Sequence, residues 1–373
     1  MMLFAFRSLR LLSVLLLLLG ILSCGRQPNK NLAEEIDQSQ EGQMNFDKIV
    51  LSEADEQGKR LWEMKANEAV YSRDKRTAQI QGVAGSFFKD GKVLLTTTAT
   101  RGEVRQQTQQ IRLEGSVKAY SLPDKITLQA DKLEWQPKQD RLIATGNVIL
   151  IKADQKIQVA ASRLTASPNA RRYVLEGNVL ATVQEPQMQL KTERLNWEAA
   201  TGTISSNGPL TVVQGQNGRD GNLRADSGQF NLKTQLIALQ NNIQINVVNP
   251  PLQIAGNNLT WQMRDKLAVS KAPITIYRSD QNLRASANSG QADLKAQRIV
   301  LTGAAQVQAR NGSQLSATQL VWQMQAQEAT ASGNVVYRQP QNSALVTGDQ
   351  AVAKLKEQTI QVTGGNVTTQ LVP

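Results

Sequence analysis

At 373 residues, with a formal charge of +11, no histidine and one cysteine, the chain lacks the commonest general base, the usual nucleophile pairs and zinc-ligand sets. Hydrophobic residues make up 40% of it and aromatics only 4%, so any interior is lined mainly by Val, Leu, Ile and Ala. Lysine and arginine are scattered, with pairs such as Arg171-Arg172 the longest runs. That pattern, with no set of stacking aromatics, speaks against nucleic acid as a partner and leaves solvated strand faces, or attraction to an anionic membrane or glycolipid.

Residues 1–24 read as an export signal. Arg7 and Arg10 precede an apolar run from Leu11 to Leu22, and Ile21-Leu-Ser-Cys24 ends it at the only cysteine. The run spans 12 residues, short of the about 20 that a membrane-crossing helix needs. Cys24 is the candidate lipidation residue, because the stretch resembles a bacterial lipoprotein signal. The other reading is an uncleaved membrane helix that also enlists Met1 to Phe6. Either one tethers the chain to a membrane and exports the rest, with no thiol left for a disulfide. Residues 25–43 are polar and aperiodic, a tether with a reach of roughly 25 Å as flexible coil.

From Asn45 onward strand periodicity takes over. The stretch Leu128-Gln-Ala-Asp-Lys-Leu-Glu-Trp135 returns with Leu190, Thr192, Leu195 and Trp197, with Ile254, Gly256, Leu259 and Trp261, and with Leu315, Ala317, Leu320 and Trp322. Weaker copies lie between them, and the last position of each falls at 71, 104, 135, 166, 197, 230, 261, 292, 322 and 352. The step is always 30 to 33 residues, the mark of a stacked repeat of about 31 residues. Each repeat holds a second strand with a Gly-x-Val-like centre, as in Leu113-Glu-Gly-Ser-Val117 and Leu142-Ile-Ala-Thr-Gly-Asn-Val148. Alternation of apolar and polar side chains marks both strands as half-buried. The apolar pairs Leu128/Ala130 and Leu133/Trp135 are offset by three, so both face inward only if the polar dipeptide Asp131-Lys132 forms a bulge or corner. Glu193-Arg194, Asn257-Asn258 and Thr318-Gln319 hold the same position.

Later in the chain, Pro209 and Pro273 occupy one repeat position, 64 residues apart. Each lacks a ladder donor and belongs at a strand start or an edge. Gln214-Gly-Gln-Asn-Gly-Arg-Asp-Gly221 is the best candidate boundary, with three glycines besides polar residues. The repeat phase survives it, so the expected layout is two homologous stacked halves, 44–215 and 220–373. Asn249-Pro-Pro251 reads as a tight turn. The expected fold is all-β: a long, strongly bent antiparallel stack of roughly twenty strands.

The order Trp62-x-Met-x-Ala-x-x-Ala-x-Tyr71, Phe87-Phe88-x-Asp-Gly91, Leu95-Thr-Thr-Thr-Ala-Thr-Arg-Gly102, Leu113-Glu-Gly-Ser-Val117 and Leu128-x-Ala-Asp-x-Leu-x-Trp135 resembles the LptC family, over residues 45 to 215. Residues 220 to 373 resemble the related LptA/OstA-like repeats. The resemblance implies an elongated twisted β-jellyroll in a periplasmic component of the lipopolysaccharide exporter, anchored to the inner membrane. It implies that the inner surface holds acyl chains. It further implies that the N-terminal edge pairs with the permease subunits of the ABC exporter, and the C-terminal edge with an LptA-like bridge protein.

The candidate lipid-contact residues are Ala66, Phe87, Leu113 and Val117, near where the family admits lipid, followed by the inward Leu128, Leu133 and Trp135. Inward alternation also fills the core of any sandwich, so a scaffold or assembly adaptor without lipid cargo is the alternative. No catalytic residue, metal ligand or cofactor is expected, and no Gly-x-x-x-x-Gly-Lys-Ser/Thr phosphate loop is present. Energy for movement would come from a partner ATPase.

Overall fold

A computed structural model describes residues 44–371 apart from Pro186, Ser343, Leu355, Gln358 and Asn366. The expected export signal with Cys24 and the tether 25–43 lie outside the described residues. Among those described, no helix is long and apolar enough to cross a membrane.

Residues 44–371 form one antiparallel sheet of 26 strands, each hydrogen-bonded to neighbours close to it in sequence. Five rungs are each broken into two halves, between Ser206 and Leu210, Ala225 and Ser227, Ser270 and Ile274, Ala287 and Ser289, and Thr363 and Thr368. Rejoined, the 26 strands make 21 rungs, in line with the twenty or so read from the repeat. Pro209 and Pro273 stand immediately before the strands Leu210–Gln214 and Ile274–Arg278, where no ladder donor is lost. Ser206 and Ser270 close those breaks by donating to the carbonyls of Gly208 and Ala272, at 3.0 and 2.8 Å.

A corner recurs in rung after rung. In Ile126–Gln136, Ala130 and Leu133 are both buried while Asp131 and Lys132 are both exposed, as the three-residue offset requires. Of the two forms open to the polar dipeptide, bulge or corner, it takes the corner, and the extra residue lies on the partner strand. Across from Asp131, the strand Gln110–Ser121 places two residues, Gly115 and Ser116, between the pairs Glu114↔Lys132 and Val117↔Ala130. Those two have φ of 79° and 46°, so the left-handed residues belong to the Gly-x-Val strand and the polar dipeptide supplies only the bend. Gly146/Asn147, Gly177/Asn178, Gly303/Ala304 and Gly333/Asn334 repeat the pair.

Glycine is required at the first position for two reasons. Its φ of 76° at Gly146 is strained for any side chain, and a Cβ there would lie 2.4 Å from Asp131 Oδ2. The same Oδ2 accepts from Asn147 Nδ2 at 2.9 Å, which ties the bend to the bulge.

The corner folds each rung into two arms, so the sheet doubles back as two facing walls. One wall holds segments such as 117–121, 126–130 and 148–152, and the other holds 110–114, 132–136 and 141–145. Corners close one side and the hairpin turns of both walls stand at the opposite side, which is the mouth. This is a jellyroll-like fold. At the Gly-rich run, Gln214 pairs with Gly221, so the run is a hairpin turn around the short helical turn Gln216–Gly218, and strand pairing continues across it.

Candidate lipid groove

The interior differs along the stack. One large apolar cluster runs from Leu51 to Trp197, followed by two smaller ones, Leu210 to Ile243 and Ala287 to Ala351. All seven candidate residues, Ala66, Phe87, Leu113, Val117, Leu128, Leu133 and Trp135, face inward within the first cluster, and none is more than 7% exposed. Phe87 from one wall meets Trp135 from the other edge-to-face, with ring centroids 5.3 Å apart. The residues are therefore brought together, in a space that protein already fills. Between Leu94, Leu128 and Leu150 on one wall and Leu142, Leu164 and Tyr173 on the other, a slot of about 30 Å³ remains, room for about one or two waters. An acyl chain reaches these seven side chains only if the walls part.

The mouth of this first part is tied shut by polar contacts between turns of opposite walls. Asp124, in the turn after Gln110–Ser121, has a side chain only 2% exposed. Its carboxylate accepts from Tyr173 Oη at 2.5 Å and from Arg171 Nε at 2.6 Å, both from the far wall. Arg171 also forms an ion pair with it, while Lys152 Nζ donates to the Asp124 carbonyl at 2.8 Å. A buried carboxylate persists only when paired and hydrogen-bonded in this way. Burial, reinforced by the Asp124 carboxylate, pushes the Tyr173 phenol well above its ordinary range. Gln109 Nε2 donating to Glu53 at 2.9 Å and Lys89 Nζ donating to the Asn169 carbonyl at 3.3 Å span the mouth as well.

Beyond residue 210 the inner face is less covered. Leu223, Ile237, Ile245, Leu259, Ile276 and Leu315 pack against the small clusters yet are only partly buried. Here a wall-to-wall contact is Arg278 over the Trp322 ring, 5.7 Å from its centroid. This half-open aliphatic track was not singled out in the sequence, because its residues alternate just as those of the closed part do. The mouth cluster was missed too, since its members lie 47 and 49 residues apart.

At each end the sheet stops, among the described residues, at strands with a single ladder partner. Met44–Ala54 pairs only with Arg60–Tyr71 and exposes Phe46 and Val50. Thr359–Thr363 and Thr368–Leu371 pair only with Ala344–Lys354. Such edges accept another strand.

Two family models match the chain. Residues 12–184 match the family described as lipopolysaccharide-assembly, LptC-related, and residues 127–267 match the LptA/(LptD N-terminal domain) LPS transport protein family. A search of curated proteins found no match. With its jellyroll-like walls and its repeats continuing past the first match, the chain carries an LptC-related region followed by an overlapping LptA-like one, and these two regions support a role in lipopolysaccharide transport.

Proposed function

We propose that the chain is a non-enzymatic conduit that shelters the acyl chains of lipopolysaccharide between its two walls while the sugars stay outside. The observation that carries this is the inward aliphatic face, which runs through every repeat, half-open beyond residue 210 and closed by side chains and mouth contacts before it. Exposing a chain of about 12 carbons to water costs on the order of 10 kcal/mol, so transit through an aqueous compartment needs a continuous apolar lining. Residues 44–215 and 220–373 act as two stacked parts. The first holds Ala66, Phe87, Leu113, Val117, Leu128, Leu133 and Trp135 ready for lipid when its walls separate, and the second offers lipid a track already ajar.

The edge strand Met44–Ala54 pairs with the exporter's permease subunits, and the last rung pairs with an LptA-like bridge protein. The anchor is the apolar run ending at Cys24, placed at the inner membrane with the strands in the periplasm. The match to the LptC-related family begins at residue 12, inside that run.

The filled interior between Leu51 and Trp197 favours the scaffold reading for that part, and one experiment separates the two. Photo-crosslinking residues at Phe87, Ile276 and Leu315, with outward Lys191 and Gln244 as controls, are introduced in cells making lipopolysaccharide. Transport predicts adducts at the inward sites that depend on ATP hydrolysis by the exporter. Adducts at none of them, or equal labelling of the controls, would leave only the scaffold.

A further inference from the structure

The mouth between residues 123 and 233 holds a second space that acyl-chain shelter does not explain. It measures about 190 Å³ and is bounded by Pro123, Asp124 and Lys152 on one wall and by Arg171, Trp197 and Lys233 on the other. Its lining carries three cations against the single carboxylate of Asp124, with Asp154 touching Lys152 at 3.1 Å from outside the lining. Trp197 is 1% exposed, and its indole N–H, buried with it, has no hydrogen-bond partner among the described residues. Arg171 is paired with Asp124, Lys152 Nζ donates to the Asp124 carbonyl and Lys233 Nζ donates to the Ala200 carbonyl at 2.7 Å, yet each cation carries more N–H donors than these bonds use, so an acceptor-rich anion can take up the remainder together with the indole N–H.

Its position narrows the anion further. Ile126 lines both this space and the apolar slot, and Asp124 lies between the two, bonded to Ser121 and Tyr173 of the slot lining and to Arg171 of the cationic space. A charged space and an apolar slot sharing one wall residue match a molecule with a phosphoryl head and a hydrocarbon tail. We infer that this is a binding site for the phosphoryl group of a phosphorylated amphiphile, held by Lys152, Arg171, Lys233 and the Trp197 indole, with the attached chain entering past Ile126 as the walls of the slot part. The inference rests on the transport reading for its physiological ligand, since that cargo is an acylated glycolipid, though the site itself is defined by its chemistry.

The test is calorimetric titration of the full chain with dodecyl phosphate, an uncharged dodecyl glycoside and inorganic phosphate, the amphiphiles kept below their micellar concentrations. Dodecyl phosphate should bind saturably and more tightly than the other two. Lys152→Gln with Lys233→Gln should weaken it by about tenfold or more, a charge-assisted hydrogen bond being worth about that factor, while leaving the glycoside unchanged. Trp197→Phe keeps the ring, removes the donor and should weaken dodecyl phosphate selectively; Arg171 is left intact so that Asp124 stays paired.

Equal binding of the two amphiphiles, or a double variant that binds dodecyl phosphate like the parent, would overturn the site. Inorganic phosphate binding as tightly as dodecyl phosphate would overturn the amphiphile and leave a free-anion site. If lipopolysaccharide crosslinks along the walls but dodecyl phosphate is not held, this inference fails alone. If dodecyl phosphate is held but no lipopolysaccharide is captured, the transport reading fails and the site stands.

Discussion

Tyr173 shows how one side chain couples the two walls. Its hydroxyl reaches Asp124 at 2.5 Å across the mouth, and burial, then that carboxylate, hold its pKa above the ordinary phenol value of 10.0. A raised folded pKa means that the neutral phenol is favoured in the folded chain. Its stabilisation is complete below the unfolded pKa near 10 and is lost as pH rises through the higher folded value. Urea unfolding followed against pH should therefore show stability falling above about pH 10. Tyr173→Phe should reduce that alkaline slope, while at neutral pH it costs about 1–3 kcal/mol because the buried carboxylate loses a donor. An unchanged alkaline slope in the variant would mean that the mouth contact is not made in solution.

At the level of the strand, the repeat puts the same residue type into two different settings. Trp197, on Met188–Glu198, is 1% exposed and packs against Tyr173 with ring centroids 6.1 Å apart. Trp322, on Gln314–Gln323, holds the equivalent position but is only partly buried, with Arg278 over its ring. Truncating an aromatic in a filled core removes contacts and leaves a cavity, whereas a half-open site gives up far less. Trp197→Ala should cost about 3–5 kcal/mol and Trp322→Ala about half of that or less, as measured by chemical denaturation. Equal costs would contradict the division into a closed part and an open one.

Across the whole sheet, contacts join neighbouring rungs and three apolar clusters share the interior unequally. Stability in such a stack is close to a sum of rung and interface contributions, so it follows the local density of packing. Hydrogen exchange should accordingly be slowest in the strands between residues 60 and 198 and faster in those beyond 210, because opening free energy varies with buried contacts. Lipid that fills the second track should slow exchange there preferentially. Uniform protection along the chain would show that the half-exposed aliphatic residues are covered in solution.

Much of this was written locally. The 30-to-33-residue step, the inward pairs Leu128/Ala130 and Leu133/Trp135, the corner at Asp131-Lys132 and the strand starts after Pro209 and Pro273 all follow from short-range stereochemistry. Even so, an offset in apolar spacing shows that a bend exists and not which strand of the pair carries the extra residue, so only the structure placed the bulge at Gly115-Ser116, opposite the corner. Whether the walls touch was decided only by the tertiary structure. Phe87 meets Trp135, and Asp124 meets Arg171 and Tyr173, across tens of residues of sequence. Ile276 and Leu315, with the same alternation, meet too little to be covered. Alternation fixes which face of a strand is apolar. The distance between two apolar faces depends on which large side chains stand opposite each other, and no local pattern records that.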